Sequence, residues 1–382
     1  MPESFAAFMA RALHDPQRGY YARRIQGIGG QRGDFATAAT LSPLLGQAIA
    51  AWLKQSRREM PEVRHVIEVG AGNGALMETV RKSLGWWQRR RFEWHIVETS
   101  EALREQQKQR LGAAVAWHEN LESALRACGG AAFIYHNELL DAFPVRLVQR
   151  HEGEWLEVFV EFENGRVREL FMPLETKAGK LPSPSLSPHD ILRVCHHHSG
   201  ERDQRLGPLA PAMQDDAIQS PFREEGRGEG ESPTQQVASA FSVLSHPPQH
   251  PQQRCELHDS VREWLHDWVP EWKRGAMLTV DYGDTFPALY HRRPRGTLRA
   301  YLMHHRLEGM SIYENAGRRD ITADVNFTDY RAWATKLGLE EIGFATQAEF
   351  LQSRVPGTGG PMLDPDGAGG AFKVVMHRRV EH

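Results

Sequence analysis

Cysteine is scarce in this chain of 382 residues, which has only Cys128, Cys195 and Cys255 and no C-x-x-C pair. Disulfide frameworks and structural zinc sites need paired or clustered cysteines, so the sequence favours a reducing compartment and predicts no metal site. Apolar runs of the length that a membrane-spanning helix needs are also absent. The N-terminus lacks the basic and apolar regions of a signal peptide, and it carries acids that transit peptides avoid. We therefore expect a cytoplasmic protein without membrane insertion.

A strong charge imbalance is missing as well. The formal net charge is -3, and charged residues make up 25% of the chain. Proteins that bind nucleic acid usually carry a basic excess or a basic stripe. The basic run Arg89-Arg90-Arg91 is better explained as a solvated surface. We expect no nucleic-acid partner.

Glycine, in contrast, is concentrated at one point of the chain. Gly70, Gly72 and Gly74 alternate directly after the apolar, strand-like run His65 to Val69. Glycine allows positive φ and a close approach of the backbone to a ligand, and the free N–H groups of a following helix bind ligand oxygens. The pattern predicts a strand, a tight turn and a helix that together hold a nucleotide or nucleoside.

Two acidic residues bear on the identity of that ligand. Glu98 ends the next strand-like run and could accept hydrogen bonds from both ribose hydroxyls, which suits NAD or S-adenosylmethionine (SAM). Glu68 lies two residues before Gly70, where it would attract an ammonium group and repel a pyrophosphate. The sequence favours SAM, with NAD and a purely structural turn as the alternatives.

Strand and helix patterns alternate from residue 65 to 136, which is typical of a parallel sheet covered by helices. We predict an α/β fold with a doubly wound, mostly parallel, seven-stranded sheet of the class I methyltransferase type, closed by strands near 339–345 and 371–377. Ligands bind at the carboxyl ends of the strands in such sheets. The candidate residues at those ends are Glu68, Gly70, Gly72, Gly74, Glu98, Asn120, Leu121, Asn137 and Glu138.

Composition and periodicity divide the chain further. The expected parts are a helical substrate cover over 1–60, a SAM-binding core over 61–144 and 255–382, an antiparallel β insertion over 145–180, and a loop rich in Pro, Gly and Ser, partly disordered, over 181–254. Asn164-Gly165 is the hairpin signal in the insertion. The run His196-His197-His198 is better explained as solvated than as a metal site.

Several short blocks occur in a recognisable order. They are Gly19-Tyr20-Tyr21, Gly33-Asp34-Phe35, Glu68 to Gly74, Asn137 to Val145, Asp281-Tyr282-Gly283, Gly296 to Arg299 and Asp320-Ile321-Thr322. In these blocks the chain resembles the MidA-type SAM-dependent methyltransferases, which include a mitochondrial complex I assembly methyltransferase. The resemblance implies a class I fold, SAM as cofactor with S-adenosylhomocysteine as product, and, for the mitochondrial member, arginine methylation of a complex I subunit.

The same blocks suggest further site residues. We place Gly33 and Asp34 beside the cofactor and Asp281 at the rim of the site, with a turn-forming role of Asp34 and Asp281 as the alternative. After Gly33-Asp34-Phe35-x-Thr37 the family continues with Ser-Pro-Glu, whereas this chain has Ala38-Ala39-Thr40.

Methyl transfer from a sulfonium to nitrogen or oxygen needs in-line positioning and exclusion of water more than covalent catalysis. Glu138 and Asp141 are three residues apart, so on a helix they would share a face and could hold a guanidinium. Asn137 could offer its amide oxygen to an amine or to the methionyl group of the cofactor. These three residues are the catalytic candidates. Alternatively, Asn137 and Asp141 cap a helix whose apolar residues pack inward.

The sequence thus predicts a SAM-dependent methyltransferase that acts on a protein arginine or a related nitrogen. One alternative is an N- or O-methyltransferase of a small molecule, which would have a closed apolar pocket. Another is a SAM-binding assembly factor without turnover, which the Ala38-Ala39-Thr40 departure suggests.

Overall fold

The computed structural model describes residues 1–15, 17–23, 42–174, 241–302 and 305–380. Gly33, Asp34 and Ala38-Ala39-Thr40 lie outside the described residues, as does the predicted loop up to residue 240.

The described strands are, in chain order, β1 Glu3–Ser4, β2 His65–Val69, β3 Glu93–Val97, β4 Val115–His118, β5 Ala132–Asn137, β6 Arg146–His151, β7 Glu154–Glu163, β8 Arg166–Pro173, β9 Arg254–Leu257, β10 Gly275–Asp284, β11 Arg299–Leu302, β12 His305–Leu307, β13 Asp320–Thr322, β14 Val325–Asn326, β15 Glu340–Thr346 and β16 Phe372–Arg379. The described α-helices are α1 Phe5–His14, α2 Tyr20–Arg23, α3 Leu44–Glu59, α4 Ala75–Arg89, α5 Glu101–Leu111, α6 Leu121–Ala127, α7 Ser242–Ser245, α8 Asp259–Trp268, α9 Phe327–Lys336, α10 Gln347–Arg354 and α11 Ala368–Ala371.

The main sheet confirms the predicted α/β class. Seven strands lie side by side in the order β15-β16-β10-β5-β2-β3-β4, and β14 pairs with the end of β10. The strands from β10 to β4 in this order are mutually parallel, and β16 is antiparallel to both of its neighbours. The chain runs outward from β2 to β4 and then returns to the other side of β2 with β5. Parallel sheets bind ligands at such a switch point, beyond the carboxyl ends of the strands.

Helices cover both faces of this sheet. Phe133 and Ile134, adjacent in β5, are fully buried in different cores because successive strand residues point to opposite faces. Helices α3, α4 and α10 pack on the Phe133 face. Helices α6, α8 and α9 pack on the Ile134 face.

A second sheet is antiparallel, as expected for the insertion, but it recruits strands from outside 145–180. Its order is β1-β7-β6-β9, with β8 paired to β7. Strand β1 comes from the N-terminal segment. The Ser4 side chain caps the following helix α1 by accepting a hydrogen bond from Ala7 N at 3.2 Å. The helix packs on this sheet through Phe5 and Phe8. The start of the cover segment therefore forms one layer with the insertion, whereas its later helix α3 packs on the main sheet.

The loop predicted over 181–254 ends earlier than expected. Phe241 is buried at 1% exposure, its ring contacts Trp333 edge-on at 5.6 Å, and α7 follows directly. Arg254 already belongs to β9. These elements are four residues long, too short for the sequence to show a helix or strand period. Within the described part of the chain, every helix is too short or too polar to cross a bilayer.

Trp52 provides a test of the first core. The side chain is 2% exposed, and its ring meets that of Phe133 edge-on at 6.3 Å between centroids. Trp52→Ala should lower the free energy of unfolding by about 3–5 kcal/mol, measured by urea denaturation. The control Trp87→Ala removes a ring that is 77% exposed and should change stability by less than about 0.5 kcal/mol. Equal effects of the two substitutions would show that the core is wrongly assigned.

Candidate functional site

A cavity of about 1220 Å³ opens at the carboxyl ends of the parallel strands. Small-molecule sites usually have volumes of about 300–1,000 Å³, so there is room for a cofactor and part of a second substrate. The candidate residues that line the cavity are Glu68, Gly70, Gly72, Glu98, Asn120, Leu121, Asn137, Glu138 and Asp141. Gly74 is not among the lining residues.

The glycine turn has the backbone that its sequence predicts. The φ angles of Gly70, Gly72 and Gly74 are 68°, 53° and 80°. A Cβ atom on Gly70 would lie 2.8 Å from the Leu139 side chain, and one on Gly74 would lie 3.2 Å from that of Leu111. Gly74 therefore serves the packing of α4 against α5, whereas Gly70 and Gly72 form the cavity wall.

Glu68 is 3% exposed beneath this turn. Its Oε2 accepts a hydrogen bond from the Tyr135 hydroxyl at 3.0 Å. Burial raises the pKa of Glu68 to about 8, so the carboxyl is mostly protonated at neutral pH in this structure. A cation in the cavity would favour the ionised form. The predicted contact between Glu68 and an ammonium group stays a prediction.

Glu98 is held by two donors at the end of β3. Its carboxylate accepts from Ser100 N at 2.9 Å and from Gln107 Nε2 at 3.1 Å. Gln107 is fully buried and also donates to Gly72 O at 2.7 Å, so one side chain connects the acid to the glycine turn. Gln107 was missed from the sequence because it lies in a polar run of α5 with no sign of burial.

Asn120 and Leu121 lie at the turn between β4 and α6. The Asn120 side chain accepts from Ser123 N at 2.8 Å and so caps α6. Leu121 is 2% exposed. Both residues have a structural role as well as a place in the cavity wall.

The helix that was expected to carry Glu138 and Asp141 is absent from the described structure, and this expectation was wrong. Glu138 has a φ of 51°, and a short 3-10 turn, Leu140–Ala142, follows. A helix cannot pass through a left-handed residue, so the two carboxyls do not share a helix face. Both nevertheless line the cavity.

Asp281 is the cause of this turn. Its Oδ2 accepts from Leu139 N at 3.1 Å and from Leu140 N at 2.8 Å. Asp281 is fully buried and does not line the cavity, so its predicted place at the rim is wrong. A capping carboxylate was expected in this stretch, but it comes from β10 rather than from Asn137 or Asp141.

Asn137 has one satisfied and one unsatisfied side-chain group. Its Nδ2 donates to Glu138 Oε1 at 3.0 Å. Its buried Oδ1 has no hydrogen-bond partner among the described residues. A buried amide oxygen needs a donor, and an amine in the cavity would supply one.

Other residues of the cavity come from distant parts of the chain. Tyr21, Tyr282, Arg299 and Asp320 all line it. The Tyr21 hydroxyl donates to Asp320 Oδ1 at 2.7 Å, and Arg299 pairs with Asp324. These cavity residues lie in the blocks that carry the family resemblance, but their sequence alone indicated no role for them.

Acidic groups surround Asp141 at one end of the cavity. Burial, followed by the charges of Asp281 and Asp320, raises the pKa of Asp141 well above its usual range. The Arg299 guanidinium acts in the opposite direction. Asp324 accepts from Arg293 at 2.6 Å as well as from Arg299, so its charge is compensated. We call Glu138, Asp141 and Asp320 the acidic recess.

Comparison with known proteins agrees with this geometry. A family model described as "Putative S-adenosyl-L-methionine-dependent methyltransferase" matches residues 44–345, which is more than half of the chain. The chain belongs to this family. It is a class I SAM-dependent methyltransferase.

The chain is only distantly related to the curated proteins that it matches. The chain is 28% identical over 247 residues to "Protein arginine methyltransferase NDUFAF7 homolog, mitochondrial" of Drosophila melanogaster, covering 56% of this chain and 55% of the relative. It is 25% identical over 381 residues to the protein of the same name from Caenorhabditis elegans, covering 92% of this chain and 72% of that one. The first alignment thus spans only about half of the Drosophila protein.

A solved structure supports the fold. A Burkholderia thailandensis protein bound to S-adenosyl-homocysteine superposes with a TM-score of 0.73 at 23% identity, covering 99% of this chain and 88% of that chain.

The residues of this methyltransferase fit SAM. The positive-φ glycines leave space for a nucleoside at the start of α4, and the unpartnered Asn137 Oδ1 can accept from the amino group of the cofactor. Glu98 and Glu68 both line this cavity, and their predicted contacts with the ribose and with the positive charges stay predictions.

The cradle can be tested with a matched pair of substitutions. SAM and S-adenosylhomocysteine should bind saturably to the wild type in calorimetry, and NAD should not. Gly72→Arg should abolish this binding because Gly72 lines the cavity and an arginine there would compete with the cofactor for space. Gly359→Arg, placed where a Cβ meets nothing within 4 Å, should leave it unchanged. Unchanged binding of these two ligands by the Gly72→Arg variant would show that the cofactor binds elsewhere.

The raised pKa of Glu68 predicts a pH dependence of stability. Between its usual value of 4.5 and its folded value of about 8, the folded protein binds more protons than the unfolded chain. The free energy of unfolding should therefore fall as the pH rises from 5 to 8. Glu68→Gln should reduce this fall by at least about 1 kcal/mol in urea titrations at both pH values. The same pH slope in both proteins would contradict the assignment.

Proposed function

We propose that this methyltransferase transfers the methyl group of SAM to an arginine side chain of a protein. The observation that carries the proposal is the acidic recess, which lies in the same cavity as the glycine turn. The end of the cavity that would bind a cation is formed by Glu138, Asp141 and Asp320, and it lies beside the place expected for the cofactor.

A planar guanidinium suits this recess. Carboxylates bind guanidinium through pairs of parallel hydrogen bonds, and the buried setting strengthens these bonds. Burial is the main cause of the raised pKa of Asp141, and the charges of Asp281 and Asp320 add to it, so an entering cation would favour the ionised form of this carboxyl. A neutral apolar acceptor would add no positive charge to this acidic end of the cavity.

The chemistry required of the chain is modest. SAM supplies the methyl group. The recess would hold one guanidinium nitrogen in line with the methyl carbon, so that its lone pair forms the new N–C bond as the S–C bond breaks. The methylated nitrogen then sheds a proton, for which Glu138 and Asp141 are the acceptors in the recess. S-adenosylhomocysteine leaves with the electron pair of the broken bond.

The N-terminal segment would help to keep water out of the reaction. His14 and Tyr21 line the cavity, and His14 Nε2 lies 3.4 Å from Ala142 O, beside the turn that carries the catalytic candidates. Burial lowers the pKa of His14, so this wall is uncharged near neutral pH.

The relatives named protein arginine methyltransferase support the same substrate class. The MidA-type resemblance adds a subunit of respiratory complex I as the first acceptor to test.

The acceptor group and the recess can be tested together. Purified protein is incubated with methyl-labelled SAM and cell extract, and the labelled protein is hydrolysed to identify methylarginine. Asp141→Asn should lower transfer by about 100-fold or more, because it keeps the shape of the side chain but cannot take a proton. Its affinity for S-adenosylhomocysteine should stay within about threefold, since Asp141 faces the acceptor.

Asp366→Asn is the matched control because Asp366 is exposed and does not line the cavity, and the activity of this variant should equal that of the wild type. Label on a small molecule instead of protein would favour the small-molecule alternative. Cofactor binding with no transfer to any acceptor would favour an assembly factor without turnover.

A further inference from the structure

A group of imidazoles and a thiol lies outside the cavity. His65 Nδ1 and His95 Nε2 are 3.0 Å apart. The ligand atoms of His65, His95 and Cys128 all lie within 4.8 Å of one another. None of the three residues lines the cofactor cavity, and the methyltransferase chemistry does not use them.

The register of the sheet brings these side chains together. His95 in β3 is paired with Ile67 in β2, two residues after His65. Residues two apart on a strand share a face, so both imidazoles project from the same side of the sheet. Cys128 directly follows α6, which packs on that side.

A third histidine contacts the other ring nitrogen of His95. His95 Nδ1 lies 3.0 Å from His118 Nε2 in β4. A histidine ligand usually binds metal with one ring nitrogen and donates the other N–H to a fixed acceptor. With His118 as that acceptor, His95 presents the lone pair of Nε2 towards His65 and Cys128.

We propose that His65 Nδ1, His95 Nε2 and Cys128 Sγ bind one zinc-class divalent cation. Two imidazoles and a thiolate form a ligand set that zinc favours, whereas magnesium and calcium prefer oxygen. A fourth position faces Glu93, whose Oε2 is 3.7 Å from His65 Nδ1 and whose side chain is 61% exposed. Solvent and metal reach the site from this side.

Binding would convert the thiol to a thiolate. Coordination forms the metal–sulfur bond and releases the thiol proton to solvent.

The site would join the edge of the sheet to the cofactor cavity. It ties β2 and β3 to the end of α6, and His118 immediately precedes the turn that contains Asn120 and Leu121. A ligand that binds only the folded protein stabilises it by mass action. The cation should therefore raise the melting temperature, independently of methyl transfer.

Cobalt substitution tests the proposal on the full chain. The protein is stripped with a chelator and titrated with Co²⁺, which gives a charge-transfer absorption band when bound to a thiolate. We expect one Co²⁺ per chain with this band, and its displacement by one equivalent of Zn²⁺. Absence of the band in the wild type, or binding without saturation at one equivalent, would overturn the proposal.

Substitutions identify the ligands. Cys128→Ser should abolish the band and the thermal shift caused by Zn²⁺, whereas Cys255→Ser, which alters the other buried cysteine among the described residues, should retain both. His118→Gln should weaken binding by about 10- to 100-fold without removing the band, as expected for a supporting residue. Each variant is first checked for calorimetric binding of S-adenosylhomocysteine, which reports that the core is folded.

Cys195 and His196-His197-His198 lie outside the described residues and offer a competing set of ligands. A chain with Cys195→Ser and alanines at the three histidines should bind Co²⁺ as the wild type does. Loss of the band in that chain, or its persistence in Cys128→Ser, would place the metal elsewhere and refute the site.

Discussion

The carboxylate of Asp281 holds the turn on which the reacting end of the cavity is built. It is fully buried at the end of β10, and it accepts from the backbone of Leu139, Leu140 and Tyr282. A buried carboxylate is costly unless donors surround it, and these three N–H groups meet that need. They also fix the chain after β5 in a form that brings Glu138 and Asp141 to the cavity wall. Burial raises the pKa of Asp281 to about 7, so the charge of this carboxyl, and with it the strength of these hydrogen bonds, is sensitive to its surroundings.

Part of this site could be predicted because it depends on local order. The glycine turn and Glu98 follow strands whose apolar runs are visible in the sequence, and parallel strands bring their carboxyl ends to one edge. Their place in the cavity could therefore be predicted from the parallel sheet alone. The class of fold was also accessible, because a strand and a helix alternate over a long stretch.

The remaining features depend on contacts between distant residues. The turn at Glu138 is imposed by Asp281, which no pattern around residue 138 reveals. Tyr21 and Asp320 meet across 299 positions of the chain. Strands β1 and β9 are too short to show a period, so the sequence predicted a second sheet made only of strands from the insertion. His65, His95 and Cys128 lack the close spacing of a metal motif, since it is the register of β2 and β3 that assembles them.

The order of the main sheet has a consequence for biosynthesis. Strand β16 lies between β10 and β15, and it contributes the antiparallel neighbour of both. A nascent chain that has emerged from the ribosome as far as β10 still lacks the strand that covers one edge of β10. Exposed strand edges invite pairing with other chains. The sheet is therefore completed only after β16 has been synthesised. Molecular chaperones would be needed until β16 pairs with the open edge of β10.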